Sequence, residues 1–311
     1  MLTWELLGAA VGAGLASGRE VASFFGRNGA WGYAGILLAV VTIALLASAT
    51  LPPRWQGRWP ERLWDVVQGM LLTVTGGTML SGAGEAAAMA LPGRWTHLGA
   101  MAVTLMLAWS MSGRTNAGLG RVSRLLLLAM ALLLLPALGR PSAGKAPPAE
   151  AGVLPGLMRG AFYGGFNAAL MHPLLQGRGG EQHRSLVRAC VLLALLLGAG
   201  LYVLLRHGAA MEEEMPFVLI ASEAGRGALL LAAACLYLAT LSTLTACLRG
   251  LGRGLWPLLG TVLAATLGFS GAVEAAYPLL GALCMAMLLA MRGANFRNSR
   301  RRAFHSAPGV L

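Results

Sequence analysis

The chain has 311 residues, 57% of them hydrophobic and only 12% charged, with a mean hydropathy of +0.67 and a net charge of +12. A soluble domain of this size needs far more polar surface. The charges also cluster, leaving apolar runs of about 20 residues, the length that crosses a bilayer core. The composition therefore excludes a soluble globular protein, and it makes nucleic acid a poor account of the basic balance, because basic residues in a membrane protein set its topology.

The apolar runs predict ten spans, at roughly 3–25, 30–51, 63–91, 95–112, 120–139, 153–175, 184–206, 226–248, 255–271 and 273–291. The N-terminus has no basic leader region, and its first apolar run continues into polar residues, so no cleaved signal peptide is expected.

The first span is interrupted. It reads Gly8-Ala-Ala-Val-Gly-Ala-Gly-Leu-Ala-Ser-Gly-Arg-Glu20 before the apolar run Val21 to Phe25. Backbone broken at membrane depth is tolerated only where it lines a cavity or is buried in protein. Gly12-Ala13-Gly14 lowers the cost of leaving helical geometry. Ser17-x-x-Glu20 has the spacing of a capping box, in which Ser17 and Glu20 satisfy each other's backbone N–H groups. A helix is therefore expected to restart at Ser17–Gly18, with the partial positive charge of its N-terminus facing a gap over Gly12–Gly18.

In the third span Glu85 is an ionisable group inside the membrane, functional by default. It is expected to bind an amine, to take part in proton coupling, or to pair with Arg94 or Arg19. The Pro- and Ala-rich stretch 140–152 reads as an external linker. It separates a first repeat (1–139) from a second (153–291), which a basic tail (292–311) follows. With five spans in each, the halves have opposite orientation. The sixth span opens the second half with its own interruption. Gly164-Gly165 permits a break, Asn167 is a candidate N-cap for the restarted half, and His172-Pro173 is a further weak point. Paired Gly/Pro-interrupted spans at corresponding places in two halves point to a transporter binding site.

An even span count puts both termini on one side. With that side inside, sixteen Lys/Arg residues fall in inner segments and six in outer ones (Arg27, Arg94, Arg140, Lys145, Arg206, Arg226), while Glu212–Glu214 falls outside. That asymmetry places both termini in the cytoplasm. The four cysteines lie in apolar segments without CxxC spacing and read as packing residues. Glu5 and Asp65 sit near inner span ends. No metal-ligand cluster, nucleophile motif, phosphate loop or carboxylate pair is visible, so no enzymatic activity is expected.

The stretch "VGAGLASGREVASFFGRNGAWGYAGILLA" (Val11 to Ala39) resembles the first-span signature of the YkvI-like bacterial membrane proteins. "MLSGAGEAAA" (Met79 to Ala88), with Gly82 and Gly84, resembles that family's third-span element. "FYGGFNAAL" (Phe162 to Leu170) resembles its sixth-span element. Arg19, Phe166 and Glu85 depart from the family's usual Gln, Tyr and small residue. The resemblance implies the amino acid–polyamine–cation superfamily and the LeuT-type fold, a 5+5 inverted repeat with broken helices 1 and 6. It also implies a sodium site between the first and eighth spans, where Gly8 and Val11 match one pair of carbonyl positions and Ala239, Ser242 and Thr243 match a carbonyl and two hydroxyls. Such oxygen ligands suit a hard cation.

Together these features predict a secondary transporter in the cytoplasmic membrane, coupled to sodium or protons and needing no other cofactor. Its small polar solute, an amino acid or related amine, would sit among Gly12, Ala13, Gly14, Ser17, Gly18, Gly82, Gly84, Glu85, Gly164, Gly165, Phe166 and Asn167. The other class the sequence allows is a sensing subunit that binds a solute without moving it, as in spore-germination proteins of the same superfamily.

Overall fold

The computed structural model describes residues 2–52, 55–91, 93–113, 153–176, 182–252 and 254–305. The expected fifth span (120–139) and the linker (140–152) lie outside the described residues. Every regular element described is helical, and no strand occurs among the described residues.

The first expected span is three short helices, α1 (Leu2–Ala10), α2 (Ala13–Ser17) and α3 (Arg19–Phe24). A 3₁₀ turn, Gly26–Trp31, leads into α4 (Gly32–Leu46). Next come α5 (Trp59–Ala90), α6 (Thr96–Ser112), α7 (Val153–Leu175) and α8 (Gln182–Arg206). A second 3₁₀ turn, Gly208–Glu212, and α9 (Pro216–Ser222) fold over one end of the bundle before α10 (Arg226–Leu251) and α11 (Leu255–Ala265). A single turn, Phe269–Gly271, and a π-turn, Ala272–Ala276, open α12 (Tyr277–His305).

Among the described residues, five stretches are long and apolar enough to cross a membrane: Gly26–Leu46, Trp59–Ala90, Gln182–Arg206, Arg226–Leu251 and Phe269–Arg297. Large apolar side chains such as Leu37, Leu195, Leu238 and Leu279 face outward on them. Exposed apolar faces on helices whose backbone groups are internally bonded suit hydrocarbon rather than water. The protein is a multi-pass helical membrane protein.

At the centre is α5. Its residues from Thr75 to Gly84 are buried on every side, which requires neighbours all round. These are α6, α10 and α11. The other centre is α7, packed between α4 and α12. Glycine makes both contacts close. A Cβ on Gly160 would stand 2.2 Å from the Gly35 carbonyl oxygen, and one on Gly281 would stand 2.2 Å from that of Phe162.

The sixth expected span is not broken. α7 runs without interruption from Val153 to Leu175. Gly164 abuts Thr42 and the Ala39 carbonyl on α4, and Gly165 abuts Gly281 and Met285 on α12. These glycines let helices approach, the small-residue packing common in membranes. Asn167 does not cap a helix. Its amide donates to the Tyr163 carbonyl one turn back (3.1 Å). Pro173 frees the carbonyl four residues earlier, that of Ala169, and the Gln68 amide donates to that oxygen (3.1 Å). His172 Nε2 lies 2.8 Å from the Ala49 carbonyl oxygen, tying the end of α7 to the segment after α4.

Candidate functional site

The helix break lies where the glycines of the first span predict one, with a different local form. α1 closes with the Val11 N–H donating to the Leu7 carbonyl (2.8 Å). Gly12 is extended (φ −85°, ψ −170°). The chain then makes the short helix α2 and turns again at Gly18, which is left-handed (φ 86°). So Gly12–Gly18 holds two breaks with a helical turn between them.

The capping box does not form. Gly18 in the left-handed region turns the chain, so Glu20 no longer stands over Ser17 as the third residue of a helix must. Ser17 Oγ instead donates to the Gly14 carbonyl (3.1 Å) and accepts from the Arg19 N–H (3.2 Å). The Glu20 carboxylate folds back beside Gly14, and a Cβ there would stand 2.0 Å from Glu20 Oε1.

Glu20 is thus a buried acid at the break. The Tyr163 hydroxyl lies beside its carboxyl, with the Asn167 amide next to that hydroxyl. The Tyr277 hydroxyl lies beside the Thr75 and Thr78 hydroxyls. The Tyr277 ring stacks on Phe166 at 4.3 Å between centroids, and Tyr163 meets Phe24 edge-on at 5.2 Å. Glu20, Tyr163, Asn167, Thr75 and Tyr277 are all buried, so these hydroxyl, carboxyl and amide groups have one another rather than water as partners.

The two ends of the bundle differ. At one, buried Arg19 donates to the carbonyls of Met211 (3.3 Å), Glu212 (3.2 Å) and Glu213 (2.9 Å). It also pairs with the Glu274 carboxylate in the π-turn, and Arg27 reaches the same oxygen at 2.9 Å. This network ties the break to the turn Gly208–Glu212 and to the π-turn Ala272–Ala276. From the other end a cavity of about 210 Å³ enters, lined by Glu5, Gly8, Leu72, Ser242, Thr243 and Arg249 among others. On the first span its lining stops at Gly8 and Ala9 in α1; Thr243, which also lines it, has its γ-methyl 3.7 Å from where a Gly12 Cβ would stand.

Of the expected sodium ligands, Gly8, Ser242 and Thr243 therefore share one cavity, while Val11 and Ala239 are buried beside it. Ser242 Oγ donates to the Ala239 carbonyl (2.9 Å), and Thr243 Oγ1 is buried without a partner. The third-span residues lie elsewhere. Gly82 packs on the Phe269 ring, Gly84 abuts the His97 imidazole, and Glu85 pairs with His97 at 3.1 Å rather than with Arg94 or Arg19. The break gathers Gly12, Gly14, Ser17 and Gly18, with Phe166 and Asn167 on α7 facing the Glu20 cluster. Sequence reasoning missed Tyr163, Tyr277 and Thr75, although a tyrosine hydroxyl in mid-span is itself a signal, since it must find a partner in hydrocarbon.

No family model and no curated protein matches this chain. Among solved structures, three crystal structures of mutants of the manganese transporter of Eremococcus coleocola are similar. Each is 14% identical, covers 92% of this chain and 76% of that one, and has a TM-score of 0.54. At that identity the likeness shows the fold alone. The chain has the fold of a helical membrane transporter.

Proposed function

We propose that the protein is a secondary transporter of a small polar solute, with its site at the break in the first span and alternating access around it. The observation that carries this reading is the broken first span, with the Arg19–Glu274 network on one side of the break and, toward the other end of the bundle, a cavity lined by Gly8 and Thr243. A shared fold with a transporter supports it. So does the resemblance of the first span to the YkvI-like proteins, and with it the 5+5 LeuT-type arrangement. The basic asymmetry supports placement in the cytoplasmic membrane with both termini inside. The cavity then faces the cytoplasm and the Arg19 network faces out, an inward-facing state. Sodium is proposed at Gly8, Val11, Ala239, Ser242 and Thr243, the last offering a free buried hydroxyl oxygen.

Manganese is the cargo named for the structural neighbour. Among the described residues no group of three His, Cys, Asp or Glu side chains comes together here, and an organic solute suits the largely apolar cavity with its Ser242 and Thr243 hydroxyls better. Solute accumulation in proteoliposomes, measured beside binding to the detergent-purified protein, tests the proposal. Uptake that saturates supports transport. Binding without uptake makes the protein a sensing subunit instead.

A further inference from the structure

We propose that the groove between α1 and α8 is a binding site for one anionic phospholipid, with the headgroup phosphate on Arg188 and an acyl chain along α8. The inference holds for a transporter and for a sensing subunit alike. The groove has a volume of about 440 Å³ and is lined by Thr3 and Trp4 on α1 and by Val187, Arg188, Val191 and Leu192 on α8. None of these residues lines the cavity at Gly8 and Thr243. Along α8 the side chains change from cationic to apolar. Arg184 and Arg188 stand one turn apart on one face, and both are exposed. Val191 and Leu195 continue that face and are 54% and 65% exposed. From Arg188 to Leu195 the helix rises about 10 Å, within the roughly 15 Å that one leaflet contributes to the bilayer core. A phospholipid has the same order, with its phosphate at the interface and its chains inward.

Arg188 selects the headgroup. Its guanidinium makes no ion pair or hydrogen bond with any described residue. Other arginines on the spans are tied to carbonyls, Arg159 to that of Ser23 (3.3 Å) and Arg249 to that of Ser112 (3.1 Å). Glu5, the acidic residue of α1, lines the other cavity instead. Arg188 therefore keeps its fork of donors for a phosphate, which a guanidinium holds bidentately. Basic pockets between membrane helices bind anionic headgroups in this way. Trp4 adds an indole, the ring that sits at headgroup level, and Thr3 adds a hydroxyl donor. On the topology proposed above this end faces the cytoplasm, whose leaflet carries anionic lipid. α1 joins α2 only through extended Gly12, so a lipid holding Thr3 and Trp4 against Arg188 braces the segment before the break.

The test is made on the purified full chain stripped of lipid. Dioleoyl phosphatidylglycerol, dioleoyl phosphatidylcholine and inorganic phosphate are titrated separately, so that headgroup charge and acyl chains are varied in turn. Thermal stabilisation gives the affinity, and native mass spectrometry counts bound lipids and copies of the chain. Phosphatidylglycerol is expected to stabilise the protein saturably, with phosphatidylcholine weaker and phosphate alone without effect. Arg188→Gln is expected to weaken phosphatidylglycerol roughly fivefold or more. Val191→Trp, which fills the groove without changing charge, is expected to weaken it as well. Arg62→Gln, which removes an exposed arginine at the start of α5, is expected to leave it unchanged. The inference fails if phosphatidylcholine binds as well, if Arg188→Gln keeps full affinity, or if Arg62→Gln weakens binding as much as Arg188→Gln does. It fails too if inorganic phosphate alone gives the Arg188-dependent stabilisation, or if Arg188→Gln loses a dimer while keeping the lipid, which would seat a second copy in the groove. Should Arg188→Gln not fold, Val191→Trp beside Arg62→Gln decides.

Discussion

Gly14 is the position with the least freedom. Gly14→Ala puts a methyl where the Glu20 carboxylate sits, 2.0 Å from Oε1. Since the carboxylate ends a flexible side chain, it yields, and the expected outcome is loss of solute binding at a modest stability cost, about 1–3 kcal/mol as for other overpacked sites. Binding titrations and thermal unfolding of the variant separate the two effects. Gly18→Ala strains a left-handed residue by about 1–2 kcal/mol and pushes on the Phe217 ring, whose Cγ would stand 2.9 Å from the new methyl, so it should lower stability as well as binding. Glu20 was misread at this scale for a local reason. Ser-x-x-Glu has the same spacing whether or not the residue between turns left-handed, and only the turn at Gly18 sends the carboxylate to Gly14. Tyr163 was in plain view beside Gly164, but its significance depends on Glu20 lying across from it, which spacing along the chain does not encode.

The two glycine-rich helices separate at the scale of elements. The break in the first span was legible because glycine clusters there with polar residues that need cavity or protein around them. The unbroken α7 was not, because Gly164-Gly165 is equally good for breaking a helix and for packing one, and the neighbours that decide, Thr42, Gly281 and Met285, lie far away in sequence. Substitution should tell the two apart. Gly165→Val, with Gly281 O 2.4 Å from the added Cβ, is expected to disturb assembly and lower the yield of folded protein in the membrane. Between α1 and α10, Thr243→Val removes the free hydroxyl oxygen with little change of volume. If sodium binds there, the variant loses most sodium-dependent stabilisation, whereas Ser242→Ala, whose hydroxyl is already bonded to Ala239, loses less. Equal sodium shifts in wild type and Thr243→Val would place the ion elsewhere.

Among the described residues the bundle carries the Arg19–Glu274 latch toward one end and a cavity toward the other. Its four cysteines are all buried, so one introduced thiol reports by itself. Glu213→Cys is expected to label from outside intact cells, and labelling only after permeabilisation would reverse the topology. Glu274→Gln weakens the latch on Arg19 and Arg27, and a thiol at Ser17 in that background should label from outside several-fold faster than in the native latch. Arginine placement gives an expectation for the topology, whereas it gives none for the latch, because Arg19, the turn at Gly208–Glu212 and Glu274 meet only through the fold. The central claim is that solute crosses the membrane through the break at Gly12–Gly14. Counterflow of labelled ethylamine and alanine in proteoliposomes, carried out with wild type, Gly14→Leu and the control Gly198→Leu, tests it most directly, since Gly198 has open space at its Cβ. Saturable exchange of at least one probe by wild type and Gly198→Leu, abolished in Gly14→Leu of equal folded yield, is the predicted result. Exchange surviving in Gly14→Leu, or exchange of neither probe by wild type, would contradict it.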